Sequence, residues 1–182
     1  MYRTPGLSQD ASAPSLLSAA ANAPLPPVRA ADALNLLSRG DVGLPERCVI
    51  TPHPGEAARL LEISTAQVQA DRPAAAHALS QKYTATVILK GAGSLIASPD
   101  GRLAVCSQGH PAMATAGLGD VLAGVVGALL AQGMEGFEAA CLAVWLHASA
   151  GAQAGRSGRG LAATDLIPAI RQLLEEHSPC LK

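Results

Sequence analysis

The sequence predicts an α/β fold in which a largely parallel sheet is covered by helices on both faces. Three observations carry that reading. Short apolar runs alternate with turns and helical periodicities, the order that crossover connections between parallel strands require. Pro99-Asp-Gly101 separates two strand-like runs, a strong signal for a tight hairpin turn. Beyond Gly117 the apolar residues recur at helical spacing through most of the remaining chain. With 182 residues, 49% of them hydrophobic, the chain can bury one substantial core, so a single domain over residues 1–182 is expected.

The elements follow in order. Pro5-Gly6-Leu7 reads as a turn, and Ser12 to Ala21 as a helix with Pro14 near its start, stopped by Pro24, Pro26 and Pro27. Val28 to Ala30 is a short strand, and Asp32 to Leu37 a brief helix closed by Gly40. The tempo repeats with the strand Cys48 to Ile50, the loop Thr51-Pro-His-Pro-Gly55, and a helix over Glu56 to Glu62 that turns Leu60 and Leu61 inward. Asp71 caps a helix containing Pro73 to Tyr83, which leads into the strand Thr86 to Lys90. Ser94 to Ser98 and Arg102 to Ser107 form the hairpin. After Gly109-His-Pro111 a long helix buries Val121, Leu122, Val125, Val126, Leu129 and Leu130, with Gly124 and Gly127 allowing close packing. Phe137 to Ala152 is a further apolar helix. Thr164 starts the last one, which runs through Ile167, Ile170, Leu173 and Leu174.

Composition narrows the function classes. A formal net charge of -1 and 2% aromatic residues supply neither a basic footprint nor stacking platforms, so nucleic acid is not an expected partner. No apolar run reaches the length of a membrane span. Leu16 to Ala23 resembles a secretory signal only in part, since Arg3 alone is basic before it and Asp10 intervenes, and it is read as a short helix. Cys48, Cys106, Cys141 and Cys180 show neither CxxC nor zinc-type spacing, which points to reduced packing thiols in a cytoplasmic protein.

The stretch Ala116-Gly-Leu-Gly-Asp120 joins a small-residue turn to an apolar helix, with one carboxylate at the junction. Gly117 and Gly119 can take backbone angles that other residues avoid, so the amides of Gly117, Leu118 and Gly119 can face one anion, helped by the positive end of the helix. Asp120 is then placed to meet a reacting hydroxyl, although an Asp there can equally be a helix cap. Ligands of open parallel sheets lie beyond the carboxyl ends of the strands. Two further loops in those positions carry unusual residues, Thr51-Pro-His-Pro-Gly-Glu56 and Lys90-Gly-Ala-Gly-Ser94. Glu56 either helps to hold magnesium through water or serves as a first-turn acid favoured by the helix dipole. Asp165, beside a Thr164 cap, reads as structural, Trp145 as core, and His110, His147 and His177 show no ligand spacing.

These three loops, in this order, resemble the ADP- or ATP-dependent NAD(P)H-hydrate dehydratases, a branch of the ribokinase-like superfamily. Leu142-Ala-Val-Trp-Leu-His147, Gly160-Leu-Ala-Ala-Thr-Asp-Leu166, Ala31-Asp-Ala-Leu-Asn35 and the Pro5-Gly6-Leu7 turn extend the likeness to nearly the whole chain. The resemblance implies a three-layer ribokinase-like sandwich, N-terminally truncated, because the family has strands and a glycine-rich substrate loop before that turn. Leu118 stands where the family usually has a small hydroxyl residue, Ala30 where it has Asp, and Thr4 and Ser8 where it has glycines. The implied activity returns the S epimer of hydrated NADH or NADPH to the reduced dinucleotide at the expense of ADP or ATP, with Mg2+. A vitamin-precursor kinase, or a nucleotide-binding protein without turnover, are the alternatives. By the same resemblance Asp120 is the catalytic base, Gly6, His53 and Asp120 contact substrate, and Gly117, Leu118 and Gly119 form the anion hole. Lys90, Gly91, Ala92, Gly93, Ser94 and Gly119 bind the nucleotide. A cytoplasmic homo-oligomer, with an epimerase domain or partner, completes the expectation.

Overall fold

The structure, a computed structural model, describes residues 2–3, 27–41, 43–45, 47–156, 158 and 160–178. The expected turn at Pro5-Gly6-Leu7, the expected helix from Ser12, and Cys180 lie outside them. Six described strands pair in chain order: β1 (Tyr2–Arg3), β2 (Val28–Arg29), β3 (Val49–Ile50), β4 (Thr86–Leu89), β5 (Ser94–Ala97) and β6 (Leu103–Cys106). The first four run parallel, with Val28 opposite Val49 and Ile50 opposite Val87, and the last two are antiparallel, with Ile88 opposite Ile96 and Leu95 opposite Val105. The expected mixed sheet with its hairpin is therefore present, with Gly101 at φ +94 in the tight turn.

Alternation along the strands divides the core into two faces. Ile50, Val87, Leu89, Leu95 and Ala97 face one cluster with α1 (Asp32–Ser38), α2 (Pro54–Leu61), α3 (Thr65–Ala70) and α4 (Arg72–Tyr83). Val28, Val49, Ile88 and Ile96 face the other, filled by α5 (Leu118–Ala131) and α6 (Gly136–Gly155). An outer layer, α7 (Leu166–His177), packs on α6 through Leu166, Ile170 and Leu173. All four residues of β4 are buried, as expected for a strand covered on both sides. Cys48 belongs to the first cluster, and burial pushes its thiol up to about 12.

Several boundaries differ from the sequence expectation for identifiable reasons. The helix expected from Glu56 starts two residues earlier, because Pro54 occupies its first turn, where a missing amide costs nothing. A helix that periodicity did not reveal, α3, is started by a reciprocal capping box in which the Ser64 hydroxyl accepts from the Gln67 amide and the Gln67 side chain accepts from the Ser64 amide. On α7 the buried stripe runs through Leu166, Ile170 and Leu173. Leu166 is buried, whereas Ile167 and Leu174 are 57% and 42% exposed. Val121 and Val125 are partly buried and pack toward the outer cluster around α7 instead of toward the sheet alone.

Candidate active site

Parallel strands carry their carboxyl ends to one edge, so the segments after β3 and β4 emerge side by side, bridged by a 2.9 Å hydrogen bond from the Lys90 amide to the Pro52 carbonyl. After β3, His53 caps α2. Its Nδ1 accepts from the amides of Gly55 at 3.0 Å and Glu56 at 3.3 Å, while Glu56 Oε2 accepts from the His53 amide at 2.7 Å. An accepting Nδ1 leaves the proton on Nε2, which lies 3.5 Å from Glu56 Oε1. Burial lowers the His53 pKa, against the pull of Glu56, with Lys90 and Arg59 adding to the fall.

Glu56 is buried, and its Oε2 is also 3.8 Å from Lys90 Nζ. Both oxygens are thus engaged, by the cap, by His53 and by Lys90. No group of three His, Cys, Asp or Glu side chains suited to a metal ion occurs among the described residues. Paired with the Lys90 ammonium, the Glu56 carboxylate is better placed to reach a cation through water than as a direct ligand.

Gly117 starts α5 in the left-handed region at φ +83, where a side chain would be strained and a Cβ would come within 3.1 Å of Ala163 Cβ. Gly119 is different. The sequence suggested unusual backbone angles for both glycines, but Gly119 is helical, and its lack of a side chain leaves room for the Lys90 ammonium, 3.3 Å from where its Cβ would be. The amides of Leu118 and Gly119 belong to the first turn, where no preceding helical carbonyl is available. Gly117 takes the cap position, so Asp120 is a first-turn residue and not the cap, with its amide held by the Gly117 carbonyl at 3.1 Å. Burial pushes the Asp120 carboxyl above the usual carboxylate range, and the Lys90 charge draws it back.

A cleft of about 660 Å³ lies here, lined by His53, the whole Lys90–Ser94 loop, Leu118, Gly119, His110 and His147 among others. Asp120, Gly117 and Glu56 sit on the turns around it but do not line it. Gly6 lies outside the described residues. A cavity of about 540 Å³ near Cys48, Thr86 and Gly136 occupies the opposite ends of β3 and β4 and is lined by none of the candidate site residues.

Three contributors have roles that the sequence reading does not assign. His147, on α6, donates from Nε2 to the Leu118 carbonyl at 2.9 Å and pins the first turn of α5; burial lowers its pKa. Arg72, at the start of α4, holds carbonyls of the Lys90–Ser94 loop. Gly151 and Gly155 form a groove on α6 into which Met113 and His110 fit, seating the segment that leads to Gly117.

Residues 4–172 match the model of the NAD(P)H-hydrate dehydratase family. The chain belongs to that family. It is 47% identical over 156 residues to an ADP-dependent (S)-NAD(P)H-hydrate dehydratase from Neisseria meningitidis, covering 81% of this chain and 53% of that protein. It is also 47% identical over 173 residues to the bifunctional NAD(P)H-hydrate repair enzyme Nnr of Vibrio cholerae, covering 93% of this chain and 34% of the relative. The chain thus spans about half and about a third of these relatives' lengths. The crystal structure of the ADP/ATP-dependent NAD(P)H-hydrate dehydratase of Bacillus subtilis, co-crystallized with ATP/Mg2+ and soaked with CoA, superposes with a TM-score of 0.85 at 26% identity, over 97% of this chain and 66% of that one. The NAD(P)H-hydrate dehydratase fold of this chain is the ribokinase-like one that the motifs implied.

Proposed function

We propose that this chain carries out nucleotide-dependent dehydration of the S epimer of hydrated NADH and NADPH. The observation that supports it most is the convergence at the start of α5: the Lys90 ammonium lies against Gly119, beside the open first-turn amides and the partly buried Asp120. The N. meningitidis relative bears the matching name. In this reading Asp120 accepts the proton of the ring hydroxyl as its oxygen attacks the terminal phosphorus of ADP or ATP, and the bond from that phosphorus to the bridging oxygen breaks, releasing AMP or ADP. The amides of Gly117, Leu118 and Gly119, with Lys90, hold the charge of the phosphoryl group in transit. The ring C–O bond then breaks, phosphate leaves and a ring proton is lost, forming the double bond. Gly6 and His53 contact the dinucleotide, while the loop from Lys90 to Ser94 holds the nucleotide. Magnesium would come bound to the nucleotide's phosphates and would offset their charge. The chain acts as one ribokinase-like domain of a cytoplasmic homo-oligomer with an epimerase domain or partner beside it, and the V. cholerae relative is named as bifunctional.

The test is incubation with hydrated NADH, Mg2+ and ADP or ATP. The absorbance of reduced nicotinamide and inorganic phosphate should rise together. A stable phosphorylated alcohol would instead identify a small-molecule kinase, and nucleotide binding without phosphate release would identify a protein that binds without turnover. Either result overturns the proposal.

A further inference from the structure

We infer that Arg72 is the positioning residue of the nucleotide loop, setting nucleotide affinity from outside the cleft by holding the loop's carbonyls away from the phosphates. The inference rests on the reading of Lys90 to Ser94 as the nucleotide-binding loop. Arg72 is the first residue of α4, fixed there by Asp71, whose carboxylate accepts from the Ala74 amide at 2.9 Å. From that point its Nη2 reaches the carbonyls of Gly93 at 3.1 Å, Leu89 at 3.3 Å and Lys90 at 3.5 Å, and its Nη1 reaches Gln69 Oε1 at 3.3 Å. One guanidinium therefore gathers carbonyls from both ends of the loop.

The loop backbone is shaped around that guanidinium. A Cβ on Gly91 would lie 2.9 Å from Arg72 Nη2 and closer still to Nη1, and Gly91 adopts φ +152, a conformation that residues with side chains rarely take. Gly93 follows at φ +70, and the Ser94 hydroxyl donates to the Gly91 carbonyl at 3.2 Å. The two sides of the loop are chemically distinct. Arg72 is absent from the lining of the cleft, which is formed by the loop together with α5 and α6, whereas α4 packs against the opposite face of the sheet. Carbonyl oxygens drawn toward α4 cannot present their partial negative charge to a nucleotide's phosphates. Release of these carbonyls would put acceptors where an anion needs donors. The planar, five-donor guanidinium suits this task, whereas a lysine ammonium at the same place could serve only part of the set.

Arg72→Met and Arg72→Lys in the full chain test the inference, with ADP and ATP affinity measured by calorimetry and local hydrogen exchange measured without ligand. The Met variant should weaken nucleotide binding about tenfold or more, the size expected for losing hydrogen bonds from a charged donor. Its KM for hydrated NADH should stay within about twofold, uniform binding of that substrate being untouched. The amides of residues 91–94 should exchange faster in the Met variant while the rest of the sheet is unchanged, and Lys should restore part of both effects. Unchanged exchange in that loop overturns the inference whatever the nucleotide result, and so does parallel weakening of both substrates with a general loss of protection. A wild-type chain that binds nucleotide without dehydrating hydrated NADH would sink the proposed function and leave the affinity and exchange measurements on Arg72 decisive.

Discussion

The imidazole of His147, on α6, donates a 2.9 Å hydrogen bond to the carbonyl of Leu118, in the first turn of α5. The contact fixes where the amides of the candidate anion hole point, and it joins residues 29 positions apart. It also ties that turn to a neutral histidine, because burial lowers the His147 pKa below its ordinary 6.5.

A folded-state pKa below the unfolded value means that the unfolded chain binds the extra proton first as pH falls. The stability contributed by neutral His147 is complete above the ordinary value of 6.5 and declines as pH drops below it toward the lower folded value. His53 shifts in the same direction. Urea unfolding of wild type should therefore weaken progressively below pH 6.5, and His147→Gln, which keeps a donor but does not titrate, should flatten part of that slope. An identical slope in the Gln variant would remove His147 from the account.

Asp120→Asn keeps the shape of the first turn and removes the proton acceptor. Turnover should fall by roughly a hundredfold to ten-thousandfold, the range typical of a general base, with little change in thermal stability. Near-normal turnover combined with a lowered Tm would reduce Asp120 to a helix-stabilising residue.

Gly119→Ala separates stability from chemistry in a less usual way. Alanine is favoured over glycine inside a helix by about 1 kcal/mol, so thermal stability should hold or rise. The new methyl would sit 3.3 Å from the Lys90 ammonium and displace it, so turnover should drop at least about tenfold through lost stabilisation of the transferring group. Lys90→Met should make the Gly119→Ala defect vanish into its own, a non-additivity that a double-mutant cycle reads directly. Fully additive losses would mean that the glycine does not serve the lysine.

At the other end of the loop before α5, a Cβ on Gly155 would fall 2.7 Å from His110 Cγ and closer still to Nδ1. Gly155→Ala should destabilise the protein by about 1–3 kcal/mol in urea unfolding, because overpacking outweighs the helix propensity gained. Unaltered stability would show that His110 swings aside without cost.

The strand and helix order was legible because period and punctuation agree: β-branched runs stop at glycine or proline, and Asp71 caps α4 as its position suggested. The Ser64-Thr-Ala-Gln67 capping box was equally present in the sequence, yet α3 has a single buried residue, Val68, and so shows almost no periodicity to attract notice. On α7 neighbouring Leu166 and Ile167 are both apolar, so composition could not decide which one faces the core. Within the site, the three loops could be read because each carries its signal in consecutive residues. Arg72, His147 and the Gly151–Gly155 groove could not, since each acts on a segment 17 or more residues away, and only the packing of α4 and α6 brings them there.

Lys90 follows directly on β4, the strand buried along its whole length, while Asp120 is carried by α5, whose Leu122, Ala123 and Val126 pack in the same cluster as Val49 and Ile88. The backbones that carry that ammonium and that carboxylate are therefore held apart by a packed layer. Coulomb attraction varies inversely with separation, so a methyl group added or removed beneath α5 would alter the acidity of Asp120 without touching it. In this protein the interior works as a calibrated spacer, and proton affinity at the cleft is one of the quantities it calibrates.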